Sequence, residues 1–239
     1  MTKRRKRPCH SFLRMPRKKT TSDKKIFLVD DHPAFRAGMK AILGLEPGWE
    51  VCGEAGNARE ALTAIETAAP DLVMTDISMP GRSGLELIKD LRAVVPTVRV
   101  LALSMHEDSV YALRVLQAGG DGYLNKETPA EEIVEAIRRI FEGQRMFKPE
   151  QLATRPPGLP EREASGAVDG IEFLTDRELE VFELLGHGRS TREVAATLGM
   201  SNRTAEVHRA NIKRKLDFSN AAELTHAAYQ WVYQQVNKA

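Results

Sequence analysis

The chain has 239 residues, of which 42% are hydrophobic and 28% charged, the balance of an ordinary globular protein with one large or two modest domains. Its two cysteines, Cys9 and Cys52, stand apart, and its six histidines show no metal-ligand spacing, which argues against a disulfide framework or a zinc module and fits a reducing compartment. No apolar run reaches the ~18 residues of a membrane span, so the sequence reads as a cytoplasmic protein with no membrane partner.

The net charge of +2 hides an asymmetry. Residues 1–25 carry eleven Lys/Arg against Asp23 alone, residues 26–170 carry fifteen against twenty-three acids, and residues 171–239 carry nine of each. The block Lys3-Arg4-Arg5-Lys6-Arg7 has no apolar periodicity, so residues 1–23 are expected to be a basic, disordered tail, solvated or touching nucleic acid. Met15 is an alternative start.

From Ile26 to Glu142 short apolar runs alternate with helical-period segments, the signature of βαβ units and a parallel sheet. Strands are predicted at Ile26–Val29, Glu50–Ala55, Leu72–Thr75, Val98–Ala102 and Gly122–Leu124. Helices are predicted at Pro33–Leu43, Ala58–Ala68, Leu85–Val94, Ser109–Ala118 and Ala130–Glu142. Pro33 suits a first helical position, and Gly44, Gly119 and Gly143 follow helices where a left-handed cap is wanted. Residues 146–170, punctuated by Pro and Gly, read as a linker. The remainder, 171–239, is all helical in pattern, with capping-box spacing at Thr175/Glu178 and Ser190/Glu193, a cap at Ser201 and a further start at Asn220.

Asp30 and Asp31, Asp76, Ser104 and Lys126 fall just past strands one, three, four and five. In an open α/β sheet those strand ends share one edge, where ligands bind. Three carboxylates and an ammonium there suit a divalent metal and a phosphoryl group, because Mg²⁺ keeps several waters and needs only one or two carboxylates besides phosphate oxygen. Each residue alone has an ordinary structural explanation, and it is the combination that carries the reading. The segments FLVDDHPAFRAG, DLVMTDISMPGRSGLELI, VLALSMHED and GGDGYLNKE resemble the receiver domain of bacterial response regulators over about residues 24–145. The resemblance implies a doubly wound, five-stranded, flavodoxin-like α/β domain. It also implies Asp76 as phosphoacceptor, with Asp30, Asp31, Asp76 and the Ser78 backbone carbonyl as the Mg²⁺ site. Lys126 would contact the phosphoryl group, and Ser104 and Tyr123 would be the switch hydroxyl and aromatic. Many receivers have Pro directly after the lysine, whereas Glu127 and Thr128 come before Pro129 here.

In the helical part, Thr191–Leu198, Gly199-Met200 and Asn202–Leu216 have the brace, turn and reading helix of a helix-turn-helix, and Ser201–Leu216 carries five basic residues against Glu206. LTDRELEVFELLGHGRSTREVAATLGMSNRTAEVHRANIKRKL resembles the LuxR-type helix-turn-helix, a small four-helix domain. Base contacts are expected from Glu206, Val207 and Ala210, and phosphate contacts from Arg203, His208, Lys213 and Arg214. Glu206 replaces a lysine of many relatives; a carboxylate can accept from cytosine N4 yet repels phosphate. Leu224, Ala227, Ala228, Trp231 and Val232 form an apolar stripe, read as core and, by resemblance, as a pairing surface.

Together the two parts resemble the NarL/FixJ family. That implies a transcription regulator, not an enzyme, phosphorylated by a sensor histidine kinase and binding double-stranded DNA as a homodimer. Two other readings remain open at this stage. One is a Mg²⁺-dependent aspartate-nucleophile phosphohydrolase with a helical appendage, against which stands Ser78 where such enzymes place a second acid. The other is a regulator acting through protein contacts alone.

Overall fold

The computed structural model describes residues 23–105, 109–148 and 170–236. Most of the expected tail and linker, and Met15, lie outside the described residues. Five strands, β1 Lys24–Val29, β2 Trp49–Ala55, β3 Leu72–Asp76, β4 Arg99–Ser104 and β5 Gly122–Asn125, form one parallel sheet in the order β2-β1-β3-β4-β5. The helices between and after them are α1 Pro33–Leu43, α2 Ala58–Ala68, α3 Gly84–Val94, α4 Ser109–Ala118 and α5 Ala130–Phe141.

Strand alternation explains the layering. Along β1, Ile26 and Leu28 join Met39, Leu43, Ile133, Ile137 and Ile140 of α1 and α5 in one cluster. Phe27 and Val29 point the other way, into a cluster with Ile65, Leu87, Leu91 and Val115 of α2, α3 and α4. Both faces are dry, and each fully buried aliphatic side chain contributes about 1.5–3 kcal/mol.

The strands outrun their expected ends. β3, β4 and β5 run one or two residues further, to Asp76, Ser104 and Asn125, because the ladder is made by backbone groups whatever the side chain, and it continues through Asp76↔Leu103 and Ser104↔Asn125. Of the three expected left-handed caps, Gly119 and Gly143 have φ of 97° and 90°, but Gly44 is right-handed at −68°, its N–H donating back to Lys40. Met146, expected in the linker, pairs with Gly122 beside β5.

The C-terminal part is a 3₁₀ turn, Ile171–Phe173, followed by α6 Asp176–Gly186, α7 Thr191–Thr197, α8 Asn202–Lys215 and α9 Ala221–Val236. Thr175 and Ser190 close reciprocal capping boxes with Glu178 and Glu193, and Ser201 accepts from the Thr204 N–H, each cap contributing about 1 kcal/mol. The tight turn between α7 and α8 needs a left-handed residue, and Gly199 supplies it at φ 62°. Leu224, Ala228 and Trp231 are buried, Trp231 lying 5.8 Å from the Phe182 ring, so the apolar stripe of α9 is first of all core. Among the described residues no helix is long and apolar enough to cross a membrane.

The helical part docks on the sheet part. Arg114 of α4 pairs with Asp176 at 2.6 Å and donates to the Leu174 carbonyl at 2.6 Å, and Lys89 of α3 reaches Asp176 at 2.7 Å. Tyr111 donates to Glu183 at 2.7 Å, and the Gly81 N–H donates to the Leu198 carbonyl at 3.2 Å. Val115, Tyr111, Leu179 and Phe182 belong to one continuous apolar cluster.

Candidate functional site

The strand ends bring the expected residues together. Lys126 Nζ lies 2.6 Å from Asp76 Oδ2 and 2.8 Å from Asp30 Oδ2, and the ring of Phe35 sits 5.2 Å beneath the ammonium. Asp30 and Asp76 are each 3% exposed. The Ser78 N–H donates to Asp76 Oδ1 at 3.2 Å, which turns the backbone after β3 around the carboxylate. Gly84 opens α3 directly against this turn: a Cβ there would stand 2.0 Å from the Asp76 carbonyl oxygen, so no larger residue fits without moving the end of β3.

Electrostatics follow from burial. Desolvation pushes the Asp76 carboxyl up to about 6, although the Lys126 ammonium pulls against it. For Lys126, burial works to lower the value, but the charges of Asp76 and Asp30 outweigh it and hold the ammonium above its ordinary range. One ammonium does not neutralise three carboxylates. Asp30, Asp31, His32 and Asp76 present ligand atoms within 4.8 Å of one another, with Asp30 and Asp76 sharing the Lys126 ammonium. Carboxylates in excess of the cationic charge around one point fit a hard divalent cation.

Ser104 closes β4, is fully buried, and accepts through its carbonyl from the Lys126 N–H at 2.7 Å. Tyr123 is also fully buried, its ring already inside the core and near enough to Tyr111 to interact with it electrostatically. Beside this carboxyl edge of the sheet a cavity of about 120 Å³ lies between the two parts, lined by Asp31, Ser78 and Pro80 on one side and Glu180, Glu183 and His187 on the other. Burial pushes the Glu180 carboxyl up to about 7, opposed by Arg177 at 2.6 Å and reinforced by Glu183.

The reading helix α8 turns Ala205 and Ile212 inward and leaves Arg203, Glu206, Val207, Ala210 and Arg214 exposed, Val207 at 52%. Glu206 is not alone: Arg209 approaches it at 3.3 Å and also bonds Thr191 of the brace. Two of the expected phosphate contacts, His208 and Lys213, are half-buried. The His208 Nδ1 has no hydrogen-bond partner among the described residues, and burial holds the imidazole below its ordinary value. Lys215 reaches back to Glu178 at 2.6 Å.

Sequence reading missed several residues that matter here. His32 and Phe35 beside the site, Tyr111 and Arg114 on α4, and the acids Asp176, Glu180 and Glu183 on α6 were not singled out. The last two offered a signal, being acids adjacent to the apolar positions Leu179, Phe182 and Leu185 of one helix.

A five-stranded parallel sheet with an acid and lysine site at its carboxyl edge, joined to a helix-turn-helix, defines a receiver coupled to a DNA-binding module. Residues 26–138 match the family described as "Response regulator receiver domain", and residues 172–228 match "Bacterial regulatory proteins, luxR family". The nitrate/nitrite response regulator protein NarP of Escherichia coli K12 is 35% identical over 201 residues, covering 84% of this chain and 92% of that protein. The transcriptional regulatory protein UhpA of Salmonella typhimurium is 36% identical over 204 residues, covering 85% and 97%. Among solved structures, a LuxR-family two-component response regulator from Aurantimonas is similar with a TM-score of 0.52 and 36% identity, covering 54% of this chain and 93% of that one. The chain belongs to the NarL/FixJ family of response regulators: it is a DNA-binding transcription regulator and not a phosphohydrolase.

Proposed function

We propose that Asp76 is the phosphoacceptor and that its state controls the DNA-binding module. The supporting observation is the buried Asp76 carboxylate held 2.6 Å from the Lys126 ammonium, beside two further aspartates. In this reading a carboxylate oxygen of Asp76 bonds to phosphorus as the phosphorus–nitrogen bond to a sensor kinase's phosphohistidine breaks. Lys126 neutralises charge on the transferring oxygens, and Ser104 offers its hydroxyl to one of them. The carboxylates of Asp30, Asp31 and Asp76 and the Ser78 carbonyl would hold Mg²⁺, whose charge stabilises the same oxygens.

The docked geometry supports a route to the helical part. Phosphorylation adds up to two negative charges beside a cavity whose far wall carries Glu180 and Glu183. Added negative charge facing the Glu183 carboxylate across that cavity opposes docking, and Ser104, Tyr123 and Tyr111 lie between the same edge and the Tyr111–Glu183 bond. Separation frees both parts to pair with a second copy. The exposed, stacked rings of Tyr229 and Tyr233 on α9, 6.1 Å apart, offer one surface for a homodimer, which would set two copies of α8 about one DNA turn apart. On α8, Glu206, Val207 and Ala210 are the base-reading residues and Arg203, Lys213 and Arg214 the phosphate contacts, with neutral His208 positioning the helix. The protein would work in the cytoplasm, where kinase and DNA meet.

The test is selection of genomic DNA fragments by the full chain with and without acetyl phosphate, repeated with Asp76→Asn. Enrichment that rises with phosphodonor in the wild type only is the expected outcome. Stable labelling of Asp76→Asn by acetyl phosphate would overturn the assignment.

A further inference from the structure

The solvent-facing side of α8 carries Arg203, Glu206, Val207, Ala210 and Arg214, whose spacing puts them on one face of the helix. Glu206 is the one acid of that helix, and its side chain is 60% exposed. An unrestrained glutamate entering a DNA groove would lose twice. Phosphate would repel its charge, and its rotamer freedom would go.

Neither cost falls in full on Glu206, because Arg209 already holds it. Arg209 Nη1 lies 3.3 Å from Glu206 Oε1 and also donates to the Thr191 hydroxyl at the start of α7. The Arg209 side chain is 21% exposed and its Nε is buried, so the guanidinium is engaged within the module and not offered to phosphate. A surface ion pair alone would fix little. Here the arginine is anchored 18 positions away in the brace helix, so the carboxylate takes its place from the tertiary structure. Only Oε1 is engaged; Oε2 makes no hydrogen bond among the described residues.

In the major groove a carboxylate has only two donors to meet, cytosine N4–H and adenine N6–H. Guanine offers N7 and O6, and thymine O4, all acceptors that repel it. Adenine sets the N7 lone pair beside its donor, whereas cytosine has no acceptor of its own on that edge. Resting on the reading of α8 as the base-reading helix, we propose that Glu206 selects cytosine at one position of each half-site, accepting from N4–H, and that Arg209, anchored on Thr191, is the positioning residue that holds the carboxylate there. Removing the anchor frees the carboxylate without deleting it, so the two roles separate in experiment.

DNA duplexes with a randomised core are selected by the full-length protein treated with acetyl phosphate and by its Glu206→Gln, Thr191→Val and Val207→Ala variants, and the bound pools are sequenced. The wild type should favour cytosine by at least about fivefold at one position of each half-site. Glu206→Gln should abolish that preference and move the position toward adenine, whose N6 and N7 an amide can pair. The other positions should match the wild type, which shows the module folded. Thr191→Val should weaken the same preference with cytosine still first. A cytosine that persists undiminished in Glu206→Gln, or a Glu206-dependent base other than cytosine, overturns the selection. A Thr191→Val profile identical to wild type overturns the positioning role of Arg209. Base preferences that none of the three variants alters, or no enrichment at all, overturn the reading of α8 itself, whereas a change in Val207→Ala alone keeps that reading and sinks only the role of Glu206.

Discussion

Replacing Tyr111 by Phe removes one hydroxyl from the contact between the two domains and leaves the ring that packs there. In the docked state that hydroxyl is fully buried and donates to the Glu183 carboxylate at 2.7 Å. Burial, then the Glu183 charge, push the Tyr111 phenol well above its ordinary value, so it remains a donor across the physiological range. A hydrogen bond to a charged partner contributes about 1.5–3 kcal/mol, and Glu183, 4% exposed, keeps its desolvation when that donor is gone. The docking equilibrium should therefore move toward separation by about 10- to 150-fold. The Gly81 amide is a direct reporter, since its N–H is bonded across the interface to the Leu198 carbonyl. Hydrogen exchange at Gly81, followed by NMR in the unphosphorylated protein, should accelerate by that factor, with α1 and α5 amides unchanged. Gly81 exchange equal to wild type in Tyr111→Phe would refute the claim that this hydroxyl latches the domains.

Three other outcomes follow from the geometry. Lys213→Ala should weaken binding to every DNA sequence alike and reduce the slope of log affinity against log salt by about 1, whereas an unaltered slope removes Lys213 from the phosphate contacts. Gly84→Ala should cost at least about 1–3 kcal/mol in urea denaturation, because its Cβ meets the Asp76 carbonyl at 2.0 Å. Glu180, with its carboxyl raised to about 7, holds a proton in the folded protein that an unfolded carboxylate has released. Stability thus falls as pH rises between the ordinary glutamate range and about 7, and Glu180→Gln should flatten the fall in Tm measured across that window.

Where a feature depends on neighbours in sequence, it was legible there. The capping boxes of Thr175 and Ser190, the Pro33 helix start and the sheet alternation of β1 all rest on contacts a few residues apart. The convergence of Asp30, Asp31, Asp76 and Lys126 was legible because parallel strands send their ends to one edge. Two local readings went astray: backbone ladders carry β3, β4 and β5 past the ends that the side-chain pattern suggests, and Gly44 closes its helix in a right-handed conformation that any residue can adopt. The docked interface left no local trace. Tyr111 and Glu183 are 72 positions apart, and nothing in either segment names the other. Likewise His32 reads as a surface turn residue until folding brings its ring beside Asp31.

The exposure of α8 in the docked form has a consequence for timing. The contacts between the domains run through α3, α4, α6 and the Gly81–Leu198 bond, and the face of α8 that carries Arg203, Glu206, Val207 and Ala210 stays open to solvent. On the proposed reading of α8, such a regulator would track along the chromosome on its basic residues before any signal arrives. Search and activation then become separate clocks, and the delay between stimulus and promoter occupancy is set by a rearrangement on the spot and not by a journey through the cell.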